Sequence, residues 1–211
     1  ASSTACYALN QLENPSLGGY AFYNNTDPQL PQPYFYLGGI WLAPDYSTLM
    51  HYDEPVDRYA RKIYGVDNLN NLVGSINGWA RYVNASGQTE LLPSVYPGQR
   101  GEALWLPPTS GQPVGWSLTL INDTNYARPT RWEKVGGTWY AHDLGSLDGL
   151  PATSGYAHMN NDAGVTVGKT LVKVGTADAW RAFRTVAYNP IESTNALSLP
   201  PLPVADPPLA A

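Results

Sequence analysis

Short apolar segments alternate with polar turn residues along most of the chain, and this spacing predicts β-strands. Most segments are bounded by Gly, Pro, Asn or Asp, the residues that tight turns favour. The predicted strands are residues 34–37, 40–42, 63–66, 79–83, 90–92, 103–106, 114–121, 138–141, 165–174 and 181–188. Residues 54–63 differ, because their apolar positions from Val56 to Ile63 have helical spacing behind Pro55. That segment predicts one short helix.

A polar turn that leads into Val-Gly occurs three times. Asp67–Gly74 (DNLNNLVG) recurs more loosely as Asn161–Gly168 (NDAGVTVG), and a weaker copy ends at Gly115. The closing glycines are 41 and 53 residues apart, and four-stranded β units commonly recur every ~40–50 residues. The pattern predicts an all-β repeat fold, a propeller or partial propeller of short antiparallel blades. A β-sandwich is the alternative.

A second phrase follows each turn and places an aromatic residue near its middle. Its copies are Ala80–Gly87, Thr130–Gly137 and Trp180–Arg184, and Asp143–Gly149 (DLGSLDG) lies between the last two. In this order the motifs resemble the HAF repeat of bacterial extracellular proteins, best over residues 143–184 and less closely over residues 64–88. Pro107-Pro108 replaces the Asn-rich turn in the middle copy, and before Asp53 only residues 40–42 suggest a relic. The resemblance implies a repeat β fold and secretion, and it implies no catalytic residues.

Composition favours the same fold class. The chain has 211 residues, with 20 Gly, 19 Pro, 15 Tyr, 7 Trp and only 14% charged residues. Such a chain is rich in turn residues and in side chains that suit half-buried sheets. We expect a single β domain over residues 1–192. Residues 193–211 predict an extended tail, because Pro200, Pro201, Pro203, Pro207 and Pro208 favour polyproline II.

Charge and hydropathy exclude several partners. The formal net charge is −5, and the 12 Lys and Arg residues form no basic stripe, which argues against nucleic acid and against anionic membrane surfaces. No apolar run approaches the ~18 residues that a transmembrane helix needs. No signal peptide is present, so we expect the processed form of a secreted or cell-surface protein. The lone Cys6 cannot form an internal disulfide, and its expected role is a small thiol in the fold.

Candidate catalytic residues are few. His51, His142 and His158 lie in separate parts of the chain and match no zinc-binding spacing. The densest acidic cluster is Asp53, Glu54 and Asp57 beside His51. A carboxylic acid next to an ionised carboxylate is the pair that glycoside hydrolysis requires. A solvated helix start explains the same residues, and no cofactor is indicated.

The Asp- and Asn-rich turns raise calcium as a ligand, because hard cations prefer several oxygen ligands from one tight loop. The candidate ligands are Asp67, Asn70 and Asp162. Neither turn has the EF-hand spacing. Hairpin geometry is the simpler explanation, since Asn, Asp and Gly tolerate positive φ and bond their own backbone.

Aromatic residues give the stronger functional signal, because a modest core cannot bury all of them. Within the repeats, Trp105, Trp132 and Phe183 are expected to pack between the β units. Outside them, aromatic residues concentrate between positions 20 and 41, and flat amphipathic rings at a surface bind sugars or protein partners. The candidate ligand-binding residues are Tyr20, Tyr23, Tyr34, Tyr36 and Trp41. Packing between units explains this segment equally well.

Three function classes stay open. The first is a non-catalytic extracellular protein that binds a polysaccharide or a protein assembly through aromatic surfaces. The second is a structural subunit that associates with itself, through open sheet edges or the C-terminal tail, into a surface layer or fibre. The third is a secreted polysaccharide hydrolase or lyase that uses the carboxylates near Asp53.

Overall fold

The described part of the chain folds entirely into antiparallel β-sheets. A computed structural model describes residues 3–9, 17–24, 34–41, 49–51, 61–185 and 197–198, with side chains for residues 62–185. These residues form four sheets of four strands, and no helix is present among them. The all-β prediction is confirmed for these ranges. Within them, no helical segment has the length and apolar character needed to cross a bilayer.

Each sheet is a meander whose neighbouring strands are consecutive in the chain. The first sheet contains β1 (Ser3–Leu9), β2 (Leu17–Asn24), β3 (Tyr34–Trp41) and β4 (Leu49–His51). The second contains β5 (Arg61–Val66), β6 (Leu72–Ile76), β7 (Trp79–Val83) and β8 (Thr89–Leu91). The third contains β9 (Gly101–Trp105), β10 (Val114–Ile121), β11 (Thr124–Val135) and β12 (Thr138–Asp143). The fourth contains β13 (Gly155–Asn160), β14 (Thr166–Val174), β15 (Ala177–Arg184) and β16 (Leu197–Ser198).

Several sequence-predicted strands are confirmed, and the predicted helix is wrong where it can be compared. The strands predicted over 79–83 and 114–121 have the observed bounds of β7 and β10, whereas residues 34–37 and 40–41 of two predicted strands belong to one continuous strand, β3. Seven observed strands are not predicted by the sequence: β1, β2, β4, β6, β11, β13 and β16. The helix predicted over 54–63 falls on residues outside the described ranges until Arg61, where β5 begins. Ile63 is extended there because it pairs with Gly74 and packs against Leu72 and Val83 in a buried cluster.

The three glycines that close the sequence repeat occupy one structural position. Each lies in the second strand of its sheet, opposite the residue that precedes a bulge in the first strand. The pairs are Gly74 with Ile63, Gly115 with Ala103, and Gly168 with Ala157. In the first sheet Gly19 pairs with Cys6 next to an equivalent bulge. The repeat therefore extends to the first sheet, and the expectation of only a relic before Asp53 is wrong.

Glycine is required at these positions by the bulge. A Cβ atom at the closing glycines would overlap a carbonyl oxygen of the first strand: that of Lys62 for Gly74, of Glu102 for Gly115 and of Tyr156 for Gly168. Such an overlap with backbone cannot be relieved by a side-chain rotation. The repeated Val-Gly thus marks where the second strand passes closest to the bulge.

Successive sheets stack, and the core lies in the seams between them. The first strand of each later sheet contacts the first three strands of the sheet before it: β5 contacts β1 to β3, β9 contacts β5 to β7, and β13 contacts β9 to β11. Between the second and third sheets, Val73 packs with Ala103 and Trp132. Between the third and fourth, Val114 packs with Ala157 and Phe183.

The expected packing role of the repeat aromatics is confirmed. Trp132 and Phe183 are fully buried, and burying such a side chain contributes ~1.5–3 kcal/mol. The indole N–H of Trp132 donates to the carbonyl oxygen of Pro93 at 2.6 Å. Trp105 is partly buried against the cluster of Val114, Ala157 and Phe183 between the third and fourth sheets. Its indole N–H donates to the carbonyl oxygen of Asn160 in the fourth sheet at 2.9 Å.

A buried arginine anchors the connection between the third and fourth sheets. Arg128 in β11 is 5% exposed, and its Nε donates to Asp143 Oδ2 at 3.0 Å. Its Nη1 donates to the carbonyl oxygens of Leu150, Pro151 and Thr153 at 2.9–3.1 Å. The guanidinium therefore takes the place of the backbone donors that this irregular segment lacks.

Most of the predicted C-terminal tail lies outside the described residues. Residues 197–198 are an exception, since β16 pairs with Phe183 and Arg184 of β15 as an edge strand. A two-residue edge strand is compatible with a Pro-rich segment, because Pro is tolerated at sheet edges.

Candidate functional site

The acidic cluster predicted from the sequence cannot be placed. Asp53, Glu54 and Asp57 lie outside the described residues, and His51 is placed only by its backbone, which pairs with Gly39. In the part of the chain whose side chains are described, no group of three or more His, Cys, Asp or Glu residues could hold a metal ion.

The calcium candidates take part in turn hydrogen bonds. Asp67 Oδ1 accepts from the backbone N–H groups of Leu69 and Asn71, each at 2.8 Å. Asn70, in the same turn, has φ 64°. Asp162 Oδ1 accepts from the backbone N–H groups of Thr109 and Ser110 at 2.9 and 2.7 Å. Asp67 thus caps its own turn, whereas Asp162 accepts from a turn of the neighbouring sheet.

Equivalent turns of neighbouring sheets are joined to one another. The backbone N–H of Asn68, in the turn before β6, donates to the carbonyl oxygen of Pro108 at 3.1 Å. Pro108 belongs to the turn before β10, and that same turn donates through Thr109 and Ser110 to Asp162 in the turn before β14. The function of Asp162 in this structure is thus to connect two sheets.

The aromatic segment predicted as a binding surface forms β2 and β3 of the first sheet. In their antiparallel register Tyr20 pairs with Gly38, and Tyr36 pairs with Phe22. Successive residues of a strand alternate between the two faces of a sheet, so Tyr20, Tyr34 and Tyr36 belong to one face. Tyr23 and Trp41 belong to the other.

A different aromatic surface is visible on the fourth sheet, and we name it the Tyr156 cluster. It consists of Trp116, Tyr156, His158, Lys169 and Trp180. The Tyr156 ring is central, with the ring centroids of Trp180 at 5.7 Å, Trp116 at 6.0 Å and His158 at 6.3 Å. Trp180 is 45% exposed. The cluster is therefore an aromatic platform that is open to solvent.

Strand register brings these side chains to one face. Tyr156 of β13 pairs with Lys169 of β14, and Trp180 of β15 pairs with Leu171, two residues further along β14. Trp116 reaches the Tyr156 ring from β10 of the third sheet in an edge-to-face arrangement at 80°. The pairing of β14 with β13 and β15, together with the contact between the third and fourth sheets, thus brings the platform residues together.

Lys169 supplies the positive charge of the cluster. Its Nζ lies 5.0 Å from the Trp180 ring centroid and 5.6 Å from the Tyr156 ring centroid, within the range of cation–π attraction. Partial burial and the nearby Lys169 charge lower the pKa of His158. His158 is consequently neutral at pH 7, and Lys169 carries the charge.

A similar arrangement of one lysine and two aromatic rings lies between the second and third sheets, and it includes a carboxylate. Lys134 Nζ lies 5.4 Å from the Trp139 ring centroid and 6.0 Å from that of Tyr82. It also binds the carboxylate of Glu90, with Nζ to Oε2 at 2.6 Å, and the indole N–H of Trp139 donates to the same oxygen. Burial, then the charges of Asp67 and Glu90, raise the pKa of Tyr82 to about 12.

The fourth sheet carries the Tyr156 cluster on the face that points away from the third sheet. In the second and third sheets, the equivalent face is covered by the sheet that follows. Val167 is 37% exposed, whereas Val73 and Val114, which hold the same position before the closing glycine, are fully buried. The residue at the position of Trp180 in the third sheet is Ala127, which is also buried. The fourth sheet thus exposes the Val167 position, which is buried in the second and third sheets, and the Trp180 position, which is buried in the third.

A cavity of about 310 Å³ lies where β11, the connection between the third and fourth sheets and the β14–β15 hairpin meet. Its lining includes Asp148, Thr153, Leu171, Lys173 and Asp178. Leu171 is the register partner of Trp180, and no residue of the Tyr156 cluster lines the cavity. Its volume is at the lower end of the usual range for small-molecule pockets.

The sequence reasoning did not find this site. Trp180 belongs to a repeat phrase and His158 is isolated in the sequence, and no motif points to Tyr156 or Lys169. The available signal was the alternation in the 166–184 hairpin around Gly175, which places Lys169 and Trp180 on one face. The bulge at His158 conceals the contribution of β13, because it shifts the alternation between Ala157 and Met159.

Comparisons with protein-family models, with curated proteins and with solved structures give no match to this chain.

Proposed function

We propose that the chain is a non-catalytic extracellular binding protein that engages a polysaccharide through the Tyr156 cluster. The observation that carries the proposal is the solvent-exposed Trp180 ring, 5.7 Å from Tyr156 and beneath Lys169, on the face of a β-sheet. Sugar rings have apolar C–H faces that pack on aromatic rings, while their hydroxyl groups stay hydrated. The platform offers such a surface together with a charged donor.

Residue size at equivalent positions favours a ligand over another stacked sheet. In the third sheet the position of Trp180 is occupied by Ala127, whose small side chain lets the following sheet approach. Trp180 and the charged Lys169 would keep a further sheet away from the fourth. A flat sugar chain can lie on them without that close approach.

The propeller-type fold and the secreted location are part of the same proposal. Four consecutive meanders have a bulged first strand, and each of the last three packs on the sheet before it, which supports a propeller-type array more than a sandwich, in which two sheets cover each other. The resemblance of residues 143–184 to the HAF repeat supports an extracellular location. We propose both on these grounds.

Affinity electrophoresis and calorimetry of the whole chain against a panel of neutral and acidic polysaccharides test the proposal. Trp180→Ala and Tyr156→Ala are expected to weaken binding about tenfold or more, because each removes a stacking ring. Tyr140→Ala is the matched control, since Tyr140 is an exposed aromatic on β12 outside the cluster. Unchanged affinity in the cluster variants, or no binding to any polysaccharide, would overturn the proposal.

Self-association is the second candidate, and the exposed Val167 favours it. Its counterparts Val73 and Val114 are buried by the following sheet, so a sheet of a second copy could cover the same face. Light scattering behind size-exclusion chromatography tests this with the intact chain, Val167→Lys and a truncation after Thr194. An oligomer that Val167→Lys dissociates supports the fourth-sheet face, whereas one lost only in the truncation supports the tail. A monomer in every case excludes self-association.

A further inference from the structure

The charge of Lys169 has no counter-charge within the part of the chain that the structure describes. Its side chain is exposed, and its recorded contacts are with the Tyr156 and Trp180 rings. The neighbouring Lys173, four residues further along β14, is paired with Asp178. Lys173 is therefore paired with a negative charge, whereas Lys169, above the aromatic rings, is not.

The cluster around Lys134 shows what such an arrangement binds in this protein. There, two aromatic rings and one ammonium group surround the carboxylate of Glu90, which accepts from Lys134 Nζ and from the indole N–H of Trp139. The Tyr156 cluster repeats the two rings and the ammonium group, and it presents them to solvent. The missing component is a carboxylate.

We infer that the Tyr156 cluster binds a polysaccharide whose sugars carry carboxylate groups, with Lys169 binding the carboxylate and the rings of Trp180 and Tyr156 stacking on the sugar. This inference rests on the proposed function and specifies its ligand. Asp178, the carboxylate at the far end of the same β14–β15 hairpin, is neutralised by Lys173 and therefore does not oppose a bound carboxylate. The overall charge of −5 opposes a polyanion at long range, so selectivity has to come from this short-range contact.

Polygalacturonate and its fully methyl-esterified form provide a matched pair of ligands, since they share a backbone and differ in the carboxylate charge. The whole chain is expected to bind polygalacturonate at least tenfold more tightly than the ester in calorimetry. Lys169→Met, which keeps the length of the side chain, is expected to abolish that preference while retaining weak binding to both. Lys169→Arg should retain the preference.

The double variant Lys173→Met/Asp178→Asn is the control, because it removes a positive charge from the same strand together with the carboxylate that it pairs with, and it does not alter the aromatic rings. Equal affinity of the unaltered chain for the two ligands, or the same loss of preference in this double variant, would overturn the assignment to Lys169. Failure of this inference differs from failure of the proposed function. If neutral polysaccharides bind tightly and the binding depends on Trp180, only the inferred specificity for carboxylates is overturned. If no acidic or neutral polysaccharide binds, the proposed function is overturned as well. Circular dichroism confirms that each variant is folded.

Discussion

Gly74 and Gly168 hold the same position in two different sheets. Each pairs with the residue before a bulge in the first strand, Ile63 in one case and Ala157 in the other. A Cβ atom at either glycine would overlap the backbone carbonyl oxygen of that first strand. A repeated dipeptide in the sequence therefore corresponds to a repeated backbone contact.

Substitution of these glycines is expected to destabilise the protein. Gly74→Ala and Gly168→Ala should each lower the free energy of unfolding by about 1–3 kcal/mol, because the first strand must move to accommodate the methyl group. Urea denaturation measures the change. Gly111→Asn is the control, since nothing lies within 4 Å of a Cβ there and Asn tolerates its φ of +67°. A Gly74→Ala variant as stable as the control would contradict the role of the bulge.

Loss of Arg128 is expected to loosen the connection between the third and fourth sheets. Arg128→Met leaves Asp143 without its ion pair and removes the donor for three backbone carbonyl groups. Breaking one partner of a buried ion pair costs about 3–5 kcal/mol, and Asp143 is partly exposed, so we expect the lower end. Hydrogen exchange in residues 144–154 should accelerate. The exposed Arg184→Met serves as the reference, and an equal response in both variants would contradict the prediction.

The carboxylate of Asp162 is expected to stabilise the protein only when it is ionised. Burial alone would raise the pKa of Asp162, but hydrogen bonds from the backbone N–H groups of Thr109 and Ser110 outweigh it, and the pKa is lowered from 3.8. A lowered pKa stabilises the fold above pH 3.8, and this stabilisation is lost as the pH falls through the folded-state value. Asp162→Asn should be less stable than the unaltered chain at pH 7, and the difference should disappear in acid. A difference in stability between the two proteins that does not change with pH would contradict the stabilising role of the ionised carboxylate.

His158 is expected to make stability fall in mildly acidic solution. Its pKa is lowered from 6.5 by partial burial and by Lys169. Below pH 6.5 the unfolded chain therefore binds a proton that the folded chain does not bind, and stability decreases until the pH reaches the lowered value. NMR titration of the three histidines measures this pKa directly. His158→Gln should make stability less dependent on pH between 6.5 and the lowered pKa. An unaltered slope of stability against pH would show that another group causes the dependence.

Strands bounded by turn residues and made of alternating side chains could be predicted from the sequence. The strands over 79–83 and 114–121 are examples. In contrast, β11 contains Pro129 and the charged Arg128, which both argue against a central strand. Pro129 is tolerated because the pairing of β12 begins at Thr130, and Arg128 is tolerated because its partners come from the loop after β12. Neither condition is visible in local sequence.

The candidate site shows the same limit. Trp180 and Lys169 are eleven residues apart in the sequence, and their shared face follows from the β14 and β15 register. Tyr156 joins them only because a bulge in β13 fixes its pairing, and Trp116 joins from a separate sheet. The aromatic content predicted a binding surface, but long-range pairing decides which aromatic residues form one.

The stacking of consecutive meanders has a mechanical consequence. Each sheet is built from one continuous stretch of chain, and it packs on the sheet that precedes it through its own first strand. A pulling force applied at the two ends would load the seams in series, so the sheets should detach one after another rather than together. Extension in an optical trap would then release the chain in steps of one sheet, while the remaining sheets stay folded.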